Sequence, residues 1–180
     1  MVADTTRVLR GAIAGAVAAG VWSLQQPFDK RVFGVDYDDA ELLGAAVTRR
    51  RGTVATFAIG HALHVANGAL FGAAYAAVSP SVGGPGVARG ALAGMAEHAA
   101  TWPLTRFIGA VHPVGESFPT LWGDRSALAQ ATWRHLLFGT VLGAFEERLN
   151  PPPGEAAPAD SDHSTSNGHG NVEHLVVTKA

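Results

Sequence analysis

The sequence predicts an all-α fold: a bundle of four transmembrane helices, made of two repeated helix hairpins and followed by a disordered C-terminal tail. Three observations lead to this prediction. Only 16% of the 180 residues are charged, where soluble domains have about 25%. Four long segments are apolar and rich in Ala and Gly. The motifs of the first two segments also recur in the last two.

The four predicted helices follow these apolar segments in order. No charged residue occurs from Gly11 to Phe28 or from Gly52 to Ala88, and the second stretch is long enough for a span of about 20 residues plus a turn. Few residues are β-branched, which favours helix over strand. Within a membrane domain at 1–149, the helices are predicted at about 9–28, 53–78, 86–110 and 126–147.

The polar loop at 29–51, between the first two helices, is the most charged part of the chain. Within it, Asp38 and Glu41 have the spacing of a capping box, a motif that begins a helix. The apolar residues that follow, up to Val47, predict a short helix. We expect this helix at the membrane surface or in a soluble loop.

The C-terminal stretch 150–180 differs in composition from the rest of the chain. It has no helical periodicity and cannot bury enough apolar surface to offset the entropy of ordering, so it is predicted to be disordered. The net charge of −2 argues against a nucleic-acid partner for the whole chain. The absence of cysteine excludes disulfides and thiolate zinc sites.

An internal duplication links the two halves of the predicted bundle. The motif RGA-[I/L]-AG occurs at Arg10 and again at Arg89, and each copy is followed by a Trp. The motif HxxxGxxxGA occurs at His64 and again at His135. A signal peptide is the alternative interpretation of the first segment. A duplication predicts instead that the segment is a retained helix, as in membrane bundles built from parallel repeats.

Each predicted helix contains a GxxxG pair. Small residues four apart form a flat stripe on which a second helix packs closely in lipid, whereas in water each Gly would cost a helix about 1 kcal/mol relative to Ala. The pairs therefore favour a membrane bundle, and their faces are also candidate surfaces for a homo-oligomer. The predicted packing residues are Gly11, Gly15, Gly68, Gly72, Gly90, Gly94, Gly139 and Gly143.

Titratable residues fall near the middle of three predicted helices and close to their glycine faces. A charge at mid-bilayer costs roughly 2.5–3.5 kcal/mol on insertion scales, so these residues need partners. We expect Glu97 to pair with Arg134 or with a protonated histidine. The predicted intramembrane polar layer consists of His61, His64, Glu97, His98, Arg134 and His135.

Three functions are consistent with such a layer. The first is a structural network in a non-enzymatic membrane protein. The second is a small transporter or a proton- or ion-handling protein, which would use Glu97, His98, Arg134 and His135. The third is a haem-binding protein or another membrane-bound enzyme subunit, with His64, His98 and His135 as candidate axial ligands.

The sequence contains no catalytic or metal-binding motif that favours an enzyme. We therefore predict no catalytic residues and no metal site. We also predict no cofactor, apart from haem under the third alternative.

Two stretches carry a resemblance to known proteins. The sequence WSLQQPFDKRVFG at 22–34 and the sequence WRHLLFG at 133–139 resemble those of a group of uncharacterised small four-helix integral membrane proteins of high-GC bacteria. More loosely, they resemble the YagU-like inner-membrane proteins. The resemblance covers about residues 9–149. It implies a multi-pass protein of the bacterial plasma membrane, with the lipid bilayer as its partner, and it implies no particular activity.

Overall fold

The computed structural model describes residues 4–151 and contains helices but no strand in that range, which confirms the predicted all-α class. Residues 152–180, the greater part of the predicted tail, lie outside the described residues. The α-helices, in chain order, are α1 Thr5–Phe33, α2 Asp39–Thr48, α3 Val54–Val78, α4 Gly86–Thr101, α5 Ile108–Val111 and α6 Arg125–Leu149.

Helix α1 is longer than predicted, because it continues through Pro27 to Phe33 rather than ending at residue 28. Gly34, with a φ of 70°, takes the left-handed conformation that commonly ends a helix. The additional turn changes the position of Asp29, which we expected in the polar loop. Asp29 lies on α1, and its side chain is fully buried.

The short helix predicted after Asp38 is confirmed as α2. The carboxylate of Asp38 caps this helix by accepting a hydrogen bond from the Glu41 N–H at 2.9 Å. Helix α2 packs so closely on α3 that a Cβ added to Gly44 or to Gly60 would overlap the backbone of the other helix. The helix therefore belongs to the assembly of packed helices rather than to a separate loop.

The predicted third helix at 86–110 is interrupted. Helix α4 ends at Thr101, a 3₁₀ helix follows at Trp102–Phe107, and the single turn of α5 completes the segment. Pro103 lies at the start of the 3₁₀ stretch and has no backbone N–H to continue an α-helix. The 16 residues of α4 extend for about 24 Å, at 1.5 Å per residue.

The long helices pack as two pairs that meet at the centre. Helix α1 packs on α3, α4 packs on α6, and α1 also packs on α6, while α3 and α4 do not pack on each other. The glycine faces lie within these pairs: a Cβ on Gly15 would overlap the carbonyl of Gly68, and one on Gly90 would overlap that of Gly139. An oligomer built on these faces would have to replace contacts made inside the chain.

Two helical stretches are long and apolar enough to cross a membrane. They are Thr5–Phe33 and Val54–Ser81, each with a mean hydropathy of 1.3 in its most apolar window. Elsewhere in residues 4–151, no helix reaches the same length and apolarity. Because α1 packs on α3, the two apolar stretches form one antiparallel hairpin.

Many large apolar side chains of the helices are exposed, beside a buried apolar cluster around Trp22, Phe138 and Leu142. Leu24 is 84% exposed, Leu70 is 72% exposed and Leu92 is 68% exposed. Soluble proteins instead bury most of their large aliphatic side chains. The interior is unusually polar. Six of the seven largest fully buried side chains are those of Arg134, Gln130, Glu146, Thr56, Asp29 and Ser79.

Candidate functional site

A buried arginine on α6 forms the centre of the polar interior. Arg134 donates through Nε and Nη2 to the two carboxylate oxygens of Asp29 on α1, both at 2.6 Å. Its Nη1 donates to Asp39 Oδ2 at the start of α2 at 2.7 Å, and its Nη2 also donates to the backbone oxygen of Tyr37 at 3.0 Å. This arrangement is a bidentate ion pair with a second carboxylate added, and it connects α1, α2 and α6.

Neutral side chains donate further hydrogen bonds to both carboxylates. Asp29 accepts from Gln25 Nε2 at 2.6 Å and from Gln130 Nε2 at 3.0 Å. Asp39 Oδ2 accepts from Trp22 Nε1 at 3.1 Å. A buried ion pair is tolerated when further hydrogen bonds satisfy its remaining lone pairs. We call Asp29, Asp39 and Arg134, with these donors, the arginine cluster.

The expected pairing of Glu97 with Arg134 is wrong. Arg134 and His135 are adjacent on α6 and therefore point about 100° apart around the helix. Arg134 faces α1 and α2, whereas His135 faces Glu97 on α4. The alternative partner that we expected for Glu97, a histidine, is the one observed.

The Glu97–His135 pair contains one shared proton. Glu97 Oε2 lies 3.1 Å from His135 Nε2, and His135 Nδ1 lies 2.7 Å from the backbone oxygen of Ala131. A carbonyl oxygen only accepts, so Nδ1 carries a proton. The Nε2 contact then needs one further proton, on either the imidazole or the carboxyl group. Among the described residues, no donor contacts the other carboxylate oxygen, Glu97 Oε1.

His98 lies directly beside this pair, with its ring centroid 4.7 Å from that of His135. His98 Nε2 is 3.1 Å from Thr132 Oγ1, which itself donates to the backbone oxygen of Leu128 at 2.8 Å. Since the hydroxyl proton is used there, His98 donates from Nε2 and its Nδ1 is a bare acceptor. Within the described residues, neither His98 Nδ1 nor His64 Nε2 has a hydrogen-bond partner, and both are buried.

Two other expectations about histidines are corrected by the geometry. His61 is exposed and its Nδ1 contacts the backbone oxygen of Phe57 on its own helix, so its place in the buried layer is wrong. The buried stripe of α3 follows His64 and the glycines instead. His98 and His135 are in direct ring contact, which leaves no space for a haem between them. Within residues 4–151, no three or more His, Cys, Asp or Glu side chains could together hold a metal ion.

A cavity of about 450 Å³ lies between α3 and α4, and residues of α1 and α6 line its inner side. We call it the cleft. Among the described residues, no Lys or Arg lines it. Its aromatic lining residues are Trp22, Tyr37, Phe71, Trp102 and Phe138. Its main polar lining residues are Asp39, His64, Asn67, Glu97, His98 and His135. The cleft therefore brings together most of the predicted polar layer, while Arg134 lies behind Asp39.

A second buried network lies at the opposite end of the bundle, where it connects α1, α4 and α6. Glu146 on α6 is fully buried, and its Oε1 contacts Arg7 Nη2 on α1. The same oxygen accepts from Ser79 Oγ at 3.1 Å and from Asn150 Nδ2 at 3.2 Å. Arg89 on α4 approaches the other oxygen at 3.9 Å. The arginine cluster borders the cleft through Asp39, and the Glu146 network holds the other end of the bundle together.

Glu41 does not close the capping box that its spacing predicts. Its carboxylate accepts from Arg51 Nη2 at 2.8 Å and from the Gly52 N–H at 2.9 Å, and so it holds the turn between α2 and α3. Burial opposes ionisation of Glu41, but the hydrogen bonds and charge of Arg51 outweigh it and hold the pKa of this carboxyl below its ordinary value of 4.5.

Asp29 and Asp39 are not among the predicted site residues, because both fall in the predicted polar loop at 29–51. One signal could have found Asp29. Trp22, Gln26 and Asp29 recur at helical spacing, so a helix continued through Pro27 would have placed all of them on one face. Asp39 has no comparable signal, since its position depends on how α2 folds back over the interior.

Comparison of the chain with protein-family models, with curated proteins and with solved structures finds no match. The resemblance to the YagU-like proteins therefore stays a prediction. The fold and the site define the chain as an all-helical protein with an apolar helix hairpin, an ion-paired interior and a cleft.

Proposed function

We propose that the chain is a non-enzymatic, multi-pass integral membrane protein of the bacterial plasma membrane, and that it binds a small molecule in the cleft. The observation that carries this proposal is a polar, ion-paired interior that surrounds a cavity beneath an apolar outer surface. Four long helices, α1, α3, α4 continued by α5, and α6, would form the membrane bundle, with α2 covering one end.

The exposed surface supports a membrane location. Large apolar side chains such as Leu24 and Leu70 point away from the interior, and in lipid this arrangement has no energetic penalty. Charged residues within membrane helices usually face the bundle interior and pair with one another, as Arg134 does with Asp29. Exposed apolar side chains and paired interior charges are both expected of a protein that lies in a lipid bilayer.

The cleft has the properties of a small-molecule site. Its volume of about 450 Å³ is within the common range of such sites, roughly 300–1,000 Å³. Both carboxylate oxygens of Asp29 accept hydrogen bonds from Arg134, which suits a structural role. Glu97 instead has an oxygen without a donor. A proton-handling carrier is a second candidate, favoured by the shared proton of Glu97 and His135 at the cleft.

The membrane proposal predicts that the two ends of the bundle lie on opposite sides of the bilayer. The natural chain has no cysteine, so single-cysteine variants give an unambiguous signal. Ser81 is exposed between α3 and α4, and Ser117 is exposed between α5 and α6. In intact cells, an impermeant maleimide should label only one of S81C and S117C. After permeabilisation it should label both. Equal labelling before permeabilisation would contradict this topology.

The binding proposal predicts that the purified protein, reconstituted in lipid nanodiscs, takes up an aromatic small molecule. Suitable probes are 1-naphthylmethylamine, 1-naphthylmethanol and 1-naphthoate, which share one ring system and differ in charge. At least one should bind saturably in equilibrium dialysis, because the cleft is lined by aromatic side chains. If none of the three binds, the proposed function is wrong.

A cavity-filling substitution provides the control for this binding. Ala131 lines the cleft, whereas Ala129 on the same helix is exposed and does not line it. A131F should abolish uptake of the bound probe, and A129F should leave it unchanged. Equal binding by both variants would place the probe somewhere other than the cleft.

A further inference from the structure

We infer that the cleft selects an organic cation, a lipophilic amine whose ammonium group is held by Glu97 and whose ring lies against the aromatic lining. This inference rests on the proposed binding function and adds the chemical class of the ligand. It is based on the charges, the hydrogen-bonding capacity and the access of the cleft.

The charge balance of the cleft is negative. Asp39 and Glu97 line it, and the described lining residues include no Lys or Arg. Arg134 neutralises only one of its two partners, Asp29 and Asp39. The Glu97–His135 pair, with one shared proton, is neutral overall. One negative charge therefore remains on partly buried carboxylates, where an opposite charge is attracted more strongly than in bulk solvent.

The cleft also offers an acceptor without a competing donor. Glu97 Oε1 contacts no donor among the described residues, and Glu97 remains about one quarter exposed, so a ligand can reach it. The guanidinium of Arg134, on the same helix as His135, already donates to Asp29, Asp39 and a backbone carbonyl. An ammonium group has three donors and no acceptor, so it matches this site better than an alcohol or a carboxylate does.

Aromatic side chains beside the acidic groups favour the same ligand class. Trp22 and Tyr37 line the cleft on the side of Asp39, and Trp102 lies against His98 with ring centroids 5.7 Å apart. Trp and Tyr faces attract ammonium groups through the ring quadrupole. The apolar lining, which includes Leu43 and Ile108, accommodates a hydrocarbon body.

Access to the cleft favours a ligand that partitions into lipid. Helices α3 and α4 flank the cleft without packing on each other. Asn67 on α3 is exposed, and Glu97 on α4 is half-buried, so polar groups mark the two sides of this gap. In the proposed membrane bundle, the gap faces the hydrocarbon region. A lipophilic amine would enter sideways and place its charged end at Glu97.

The three naphthyl probes test the inference directly, in the wild-type protein in nanodiscs at pH 7. We expect 1-naphthylmethylamine to bind at least about tenfold more tightly than 1-naphthylmethanol, because a charge-assisted hydrogen bond replaces a neutral one. 1-Naphthoate should bind more weakly than either. The Glu97→Gln variant should lose about tenfold in affinity for the amine and keep its affinity for the alcohol within about twofold.

Glu116→Gln is the matched control, because Glu116 is an exposed glutamate that does not line the cleft. Its affinity for all three probes should equal that of the wild type. Alcohol binding by E97Q also shows that this variant is folded. The preference of the wild-type protein for the amine over the alcohol is measured without any variant. Equal affinities of the wild type for amine and alcohol would overturn the inference and leave the binding proposal intact. Failure of all three probes would overturn the binding proposal itself.

Discussion

Replacing Arg134 with Met is expected to lower the free energy of unfolding by about 3–5 kcal/mol, because it leaves two carboxylates buried without their cation. Asp29 is fully buried, and three hydrogen bonds from the guanidinium hold it and Asp39 in place. Met fills much of the same volume, so lost packing contributes little. Unfolding followed by circular dichroism in micelles with a rising fraction of dodecyl sulfate would measure the change.

Two further variants separate charge from geometry in this experiment. Arg148→Met, at an exposed position on the same helix, should change the free energy of unfolding by less than about 0.5 kcal/mol. Arg134→Lys keeps the charge but lacks the planar fork that binds Asp29 through two nitrogens, so its stability should be intermediate. An R134M protein as stable as the wild type would contradict the central role of the arginine cluster.

Neutralising the partners should recover part of the loss. When R134M is combined with D29N and D39N, no unpaired charge remains in the interior, and a neutral polar interior is much less costly than a charged one. We expect the triple variant to be more stable than R134M alone. If it were less stable, the buried charge would not be the cause of the R134M defect.

The helix boundaries show which parts of the fold could be predicted from the sequence. Helix α3 was predicted at 53–78 and is observed at Val54–Val78, because Gly52 and Pro80 flank an uninterrupted apolar run. Proline caused the two larger errors. Pro27 lies inside α1, whereas Pro103 coincides with the end of α4. Whether a helix continues past proline depends on how neighbouring groups satisfy the freed carbonyl, and this is a property of the packed fold.

The residues of the site could be predicted in part, since His64, Glu97, His98, Arg134 and His135 lie in it while Asp29 and Asp39 were not among the predicted residues. The pairs that they form could not be predicted. Burial of charge in an apolar helix requires a partner, and Arg134 and Glu97 each have one. The choice among partners depends on which helices are neighbours. Helix α6 packs on both α1 and α4, so consecutive residues on it face different acids. A single sequence contains no information on that arrangement beyond the spacing within each helix.

Replacing Gly15 with Ala is expected to reduce stability by about 1–3 kcal/mol, the usual penalty for overpacking a tightly packed contact. The added Cβ would overlap the carbonyl oxygen of Gly68 on α3. Both of the atoms that collide are close to the backbone, so no side-chain rotation can relieve the overlap. The two helices must move apart, and the contacts along the α1–α3 interface weaken with them. The same unfolding experiment in mixed micelles measures the loss.

Gly20 on the same helix is the matched control, since a Cβ added there has no heavy atom within 4 Å. Gly20→Ala gains the same helix propensity as Gly15→Ala, up to about 1 kcal/mol, without any overlap. The difference between the two variants therefore isolates the packing effect, and it should exceed the loss of G15A measured against the wild type. Equal stabilities of G15A and G20A would mean that the glycine face of α1 does not pack on α3.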